Sequence, residues 1–202
     1  MAPNQPPKPA PNPKAPATRV TFISNKCHWE EIDKLDYLPK LPQKDKNGNE
    51  FGKAENIDTT KIKDVNGNKK FHLFQCMPDK NNPCNPGNGC HGSLDIKVKG
   101  NYKAICECIK LGEGVGALQT RPVFIYLKSS DTCHWTLLAN NPKPTEPVWE
   151  CLGDGCADKK VCQQELPDPK LHPYEIKVLE KQPVGPPKEI DGILYIITCK
   201  CS

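Results

Sequence analysis

Apolar residues in this chain come in short runs broken by polar turns, and the runs alternate more often than they follow a helical period. Val20-Thr21-Phe22-Ile23 and Val123-Phe124-Ile125-Tyr126 read as strands. Leu94-Asp95-Ile96-Lys97-Val98 alternates, Gly100-Asn101 turns, and Tyr102-Lys103-Ala104-Ile105 returns, which predicts a hairpin. A second hairpin is expected where Lys61-Ile62-Lys63 meets Asp64 and Asn66-Gly67, with Lys70 to Phe74 as its returning arm, because Asn and Gly tolerate positive φ. His172-Pro173-Tyr174-Glu175-Ile176-Lys177-Val178 repeats the pattern of residues 91–98 with one residue fewer. Only Trp29 to Leu38 offers a candidate helical period. The pattern predicts a small β-rich fold.

The runs are arranged around a tripeptide that occurs twice, Cys27-His28-Trp29 and Cys133-His134-Trp135. After the first come Cys76, Cys84, Cys90, His91, Cys106 and Cys108, and after the second come Cys151, Cys156, Cys162, His172, Cys199 and Cys201. All 12 cysteines fall into these two ordered sets. That order predicts a tandem duplication of a Cys6His2 module, spanning residues 19–110 and 121–202, with 111–120 as a glycine-rich linker. Residues 1–18 hold seven prolines and read as a disordered leader. Cys27 and Cys76 are separated by 48 residues but Cys133 and Cys151 by 17, so residues 40–70 read as a polar insertion present in one copy. Such an insertion is either tolerated or serves as a partner surface.

Composition makes the cysteines structural. The chain has 202 residues, 36% of them hydrophobic and 6% aromatic, and modules of this size seldom stand on an apolar core alone. The aromatic pairs Phe22/Phe124, Phe74/Trp149 and Tyr102/Tyr195 are therefore expected in the core. Two staples are possible. Six cysteines in a small secreted domain ordinarily form three disulfides, with fifteen possible connectivities. Disulfides, however, give no reason for histidines to recur at matching places, whereas zinc takes thiolate and imidazole together. The favoured expectation is metal stapling, about two zinc ions per module. Its ligands would be Cys27, His28, Cys76, Cys84, Cys90, His91, Cys106 and Cys108, then Cys133, His134, Cys151, Cys156, Cys162, His172, Cys199 and Cys201. Neighbours such as Cys27 and His28 point to opposite sides of an extended chain, so they would serve different ions or support a ligand from behind. His72 has no counterpart and reads as an ordinary strand residue.

Function classes narrow accordingly. No nucleophile–base pair, phosphate-binding glycine loop or paired-carboxylate motif is present, and the donors divide evenly into closed four-ligand sites, so a non-enzyme is expected. The net charge of +4 is spread over scattered lysines, with Arg19 and Arg121 the only arginines, which makes nucleic-acid binding a minor alternative. No apolar run has the length of a membrane span. Met1 leading straight into Ala2-Pro3-Asn4 reads as the start of a mature secreted chain carrying an added methionine.

The proline-rich start, the duplicated cysteine module with histidines and the lack of a catalytic motif resemble the secreted cysteine-rich effectors of rust fungi. The similarity is to the zinc-bound, two-module avirulence effectors of wheat stem rust, and it covers residues 20–202 as an order of Cys and His. It implies an effector delivered into the plant cytoplasm, with a zinc-stabilised fold, that acts on a host protein and is recognised by an intracellular immune receptor; separately, a monomer is expected. The carried positions are the cysteines and histidines named above; residues 40–70 have no place in that pattern. The alternative is a disulfide-bonded extracellular binding or inhibitor protein of the same architecture.

Overall fold

The computed structural model describes residues 17–39, 47, 54–81, 83–110, 121–130, 132–153, 155–157, 160–164 and 173–202. Most of the leader, the 111–120 linker, much of the insertion and His172 lie outside them. The described residues form thirteen strands and no helix. The first seven are β1 (Arg19–Asn25), β2 (Cys27–Ile32), β3 (Lys34–Pro39), β4 (Glu55–Asp58), β5 (His72–Pro78), β6 (Asn88–Asp95) and β7 (Asn101–Lys110). The remainder are β8 (Val123–Ser129), β9 (His134–Leu137), β10 (Val148–Leu152), β11 (Cys162–Gln164), β12 (Tyr174–Glu180) and β13 (Lys188–Cys201).

They make two sheets. The first runs β6-β7-β1-β10-β9, and the second runs β2-β5-β8-β13-β12-β3-β4 with β11 attached to β13. Within each half of the chain the pairings are the same. β1 lies parallel to β7 as β8 does to β13, β6 is antiparallel to β7 as β12 is to β13, and β2 is antiparallel to β5 as β9 is to β10. The halves then exchange partners: β1 pairs with β10 of the second half, and β8 pairs with β5 of the first. Each sheet therefore takes strands from both halves.

Burial follows from that exchange. Val20, Phe22, Tyr102, Ala104 and Trp135 of the first sheet meet Phe74, Ile125, Leu127 and Ile197 of the second in one core between the sheets. The other face of the second sheet buries Leu35, Tyr37, Leu73, Phe124, Ile176 and Leu194 in a separate core. β8 contributes to both, which is why its sequence is a continuous apolar run rather than an alternating one. The second core exists because β2 runs through Asp33 into β3. With β2 paired to β5 and β3 paired to β12, the second sheet curls back on itself as a small barrel.

Three local expectations differ in detail. Trp29 to Leu38 is strand, not helix; Leu35 and Tyr37 are buried at period two and face the barrel core. The 94–105 hairpin forms around Gly100, whose φ is +75°, but its first arm is Asn88–Asp95, and Ile96 and Val98 lie exposed beyond it. The 61–74 hairpin is small, closed by the Lys63–Lys69 bridge and by Asp64, whose carboxylate accepts the backbone N–H of Asn66 and Asn68. Its returning arm serves mainly as β5, paired to β2 and β8.

Candidate functional site

The cysteines are set by strand alternation. In Cys27-His28-Trp29 the outer two residues face inward and His28 faces out, as β geometry requires. The indole N–H of Trp29 donates to the Ala104 carbonyl at 3.0 Å, and that of Trp135 donates to the Lys128 carbonyl at 2.7 Å. His28 and His134 meet sulfur through their backbone instead of their rings. The His28 carbonyl oxygen lies 3.4 Å from Cys106 Sγ, and the His134 carbonyl oxygen lies 3.7 Å from Cys199 Sγ.

All twelve cysteines are bonded in pairs. The first half holds Cys27–Cys90, Cys76–Cys106 and Cys84–Cys108. The second holds Cys133–Cys162, Cys151–Cys199 and Cys156–Cys201. In order along each half this is first to fourth, second to fifth and third to sixth. Cys27 and Cys76 lie on strands of the second sheet and their partners on strands of the first. Cys84, in the loop leaving β5, is likewise bonded to β7. The second half mirrors this: Cys151 on β10 and the loop cysteines Cys133 and Cys156 reach β11 and β13 of the second sheet. Each half thus ties the two sheets together through its own disulfides.

Two of the three bonds in each half also crowd together. The sulfurs of Cys27, Cys84, Cys90 and Cys108 all lie within 4.8 Å of one another, as do those of Cys133, Cys156, Cys162 and Cys201. Contacts between the bonded pairs are 3.5 Å for Cys27–Cys84, 3.6 Å for Cys27–Cys108 and 3.7 Å for Cys84–Cys90. In the other cluster they are 3.9 Å for Cys133–Cys156, 3.8 Å for Cys133–Cys201 and 3.6 Å for Cys156–Cys162. Cys76–Cys106 and Cys151–Cys199 stand apart from these clusters and are almost fully buried.

The zinc expectation can be tested against these donors. Sulfurs bound about 2.3 Å from a tetrahedral ion are about 3.8 Å apart, so each cluster has the size of a four-thiolate site. The oxidation state does not fit: a disulfide sulfur is not the thiolate that zinc takes. Nor do the histidines join, because no imidazole belongs to either cluster among the described residues. His28 Nε2 lies 3.9 Å from Glu30 on an open strand face. His91 is on β6 with a buried Nδ1 that has no hydrogen-bond partner. His134 is exposed on β9, and His172 lies outside the described residues.

His72, expected as an ordinary strand residue, is the most engaged imidazole. It is on β5 and buried, with Nδ1 2.9 Å from the Glu31 carboxylate and its ring 4.3 Å from that of Trp149. The hydrogen bond from His72 is the main reason that the Glu31 carboxyl lies below its ordinary value of 4.5. A glutamate one strand away and a tryptophan from the other half make this contact, and no sequence spacing announces it. Of the paired aromatics, Phe22, Phe124, Phe74 and Tyr102 are in the cores, while Trp149 and Tyr195 are half-buried beside them.

No protein-family profile matches the chain, and no curated protein or solved structure does either.

Proposed function

We propose that this is a secreted, non-catalytic binding protein whose two cysteine modules are closed by disulfides. The observation that carries the reading is the set of six disulfides, which repeats one connectivity in each half; three of them join a strand of one sheet to a strand of the other. Disulfides at this density persist in oxidising compartments and substitute for core in small folds. A duplicated module accounts for the matching cysteine order and the matching strand pairings together. Rigid sheets with loops tied at their bases suit a scaffold that presents contacts to a partner protein. The likeness in Cys and His order to rust-fungus avirulence effectors makes that partner a plant protein. The test is capture of plant extract proteins on the oxidised chain beside the reduced and alkylated chain. A specific partner held only by the oxidised form supports the reading; equal capture by both forms removes it.

A second reading has its own observation, the spacing of sulfurs inside each cluster. Reduction of Cys27–Cys90 and Cys84–Cys108 by an external dithiol would release four thiols already placed for one tetrahedral ion, and Cys133, Cys156, Cys162 and Cys201 would offer a second site. On this reading the chain carries zinc in a reducing host cytoplasm, with one ion per half and sulfur as the only donor. Zinc content after anaerobic reduction decides it: about two ions per chain with the fold retained supports it, and none removes it.

A further inference from the structure

The second sheet, whose β2 continues through Asp33 into β3, leaves a hollow beside its core. The hollow is a cavity of about 480 Å³, and across Tyr37 and Glu55 it adjoins a smaller one of about 220 Å³. Tyr37, Ile57, Phe71, Tyr126 and Ile196 line the larger space. The smaller one is walled by Ile176 and Leu194 from the barrel core. Pockets of this volume, apolar inside and polar at a few points, are where small ligands bind.

The polar groups around this hollow are unequal. Its two acids are already engaged: the Tyr37 hydroxyl donates to Glu55 at 2.5 Å, and Asp58 accepts from the Thr60 hydroxyl at 2.5 Å with Lys34 3.9 Å away. Of the two lysines, Lys61 acts on the Asp58 carboxylate and, after the Thr60 hydrogen bonds, helps to lower its pKa, whereas Lys128 holds its ammonium 6.0 Å above the Tyr126 ring and forms no ion pair among the described residues. The Tyr126 hydroxyl has no hydrogen-bond partner among them either. An apolar hollow thus opens onto one cation without an acidic partner, Lys128, a second lysine shared with Asp58, and one vacant donor.

We propose that this hollow is a binding site for an amphipathic anion, an apolar chain or ring bearing a carboxylate, sulfonate or phosphate. The apolar part occupies the space between Phe71, Tyr126 and Ile196, and the anionic head meets Lys128 and Lys61. Loss of a charged hydrogen-bond partner costs about a factor of ten or more in affinity.

The experiment uses the oxidised full chain and 8-anilinonaphthalene-1-sulfonate, whose fluorescence rises in an apolar site. Dodecanoate, dodecanol and dodecyltrimethylammonium then compete for it. Dodecanoate is expected to displace the dye at least about tenfold more effectively than the cation. Lys128→Glu is expected to remove that preference, and Ile196→Trp to fill the cavity and abolish binding. Equal displacement by all three amphiphiles, meaning an apolar patch only, overturns the proposal. So does a Lys128→Glu protein with unchanged dodecanoate affinity and unchanged circular dichroism, or no binding at all. The head-group comparison uses the unaltered protein and decides the matter even where a variant does not fold.

Discussion

Cys27 Sγ lies 3.5 Å from Cys84 Sγ although each is bonded to a different cysteine, Cys27 to Cys90 and Cys84 to Cys108. The nearest sulfur contact between bonds is thus made by two residues far apart in sequence, one on β2 and one in the loop after β5. Crowding of this kind leaves little room for a changed backbone around either cluster.

Gly153 measures that constraint in the second half. A Cβ placed there would stand 2.5 Å from the Thr132 carbonyl oxygen and 2.7 Å from Cys162 Sγ. Gly153→Ala is expected to lower stability by about 1–3 kcal/mol, the usual cost of overpacking, read from denaturant midpoints. Gly92→Ala, whose Cβ would meet Val123 Cβ at 2.7 Å across the two sheets, belongs to the same class. Gly87→Ala meets nothing within 4 Å, so its cost would come from the φ of +84° alone.

The buried Cys76–Cys106 bond closes a sequence separation of 30 residues. Replacing both cysteines with serine is expected to lower stability by roughly 3–4 kcal/mol by the loop-closure relation, checked by chemical denaturation under non-reducing conditions. The matching Cys151–Cys199 pair, with a separation of 48, is expected to cost as much or slightly more.

Glu31 gives a signed pH dependence. Its carboxyl is held below the ordinary 4.5, first by the His72 hydrogen bond, so the folded state favours the ionised form. The associated stability is present above that value and is lost as pH falls through the lower folded value. Thermal melts between pH 6 and about pH 3 are expected to show this decline, and Glu31→Gln is expected to flatten it. An unchanged slope in Glu31→Gln would detach the His72 contact from acid stability.

Lys26 joins β1 to β2 with φ of +56°, the only non-glycine residue with positive φ among those described. Lys26→Gly is expected to raise stability by about 0.5 kcal/mol, since relief of left-handed strain slightly outweighs glycine's extra unfolded freedom. Lys26→Val is expected to lower it by about 1 kcal/mol or more, because a β-branched residue is least suited to that backbone. Both are checked by differential melting.

Much of the fold is written in short-range signals. Leu35 and Tyr37 lie in a stretch that reads as helical and is strand, but the strands at 20–23 and 123–126, the Gly100 turn and the doubled order of cysteines can all be read along the chain. The exchange of β10 and β5 between halves cannot, because strand pairing over long separations leaves no mark on local periodicity. Cysteine order likewise does not fix what the sulfurs bond to. The recurrence of His28 and His134 points to metal, yet in the structure it is their carbonyl oxygens that meet Cys106 and Cys199, while the rings face outward between two inward neighbours. The contact of His72 with Glu31 and Trp149 depends on three separate strands and has no local signal at all.

The central claim is that six disulfides, repeating one connectivity in each half, close this protein. Peptide mapping of the natively purified chain under non-reducing conditions, with its intact mass, tests it most directly. The account predicts a mass about 12 Da below that of the reduced chain and linked peptides for Cys27–Cys90, Cys76–Cys106, Cys84–Cys108, Cys133–Cys162, Cys151–Cys199 and Cys156–Cys201. Free thiols at these positions in a folded, zinc-loaded protein would contradict it.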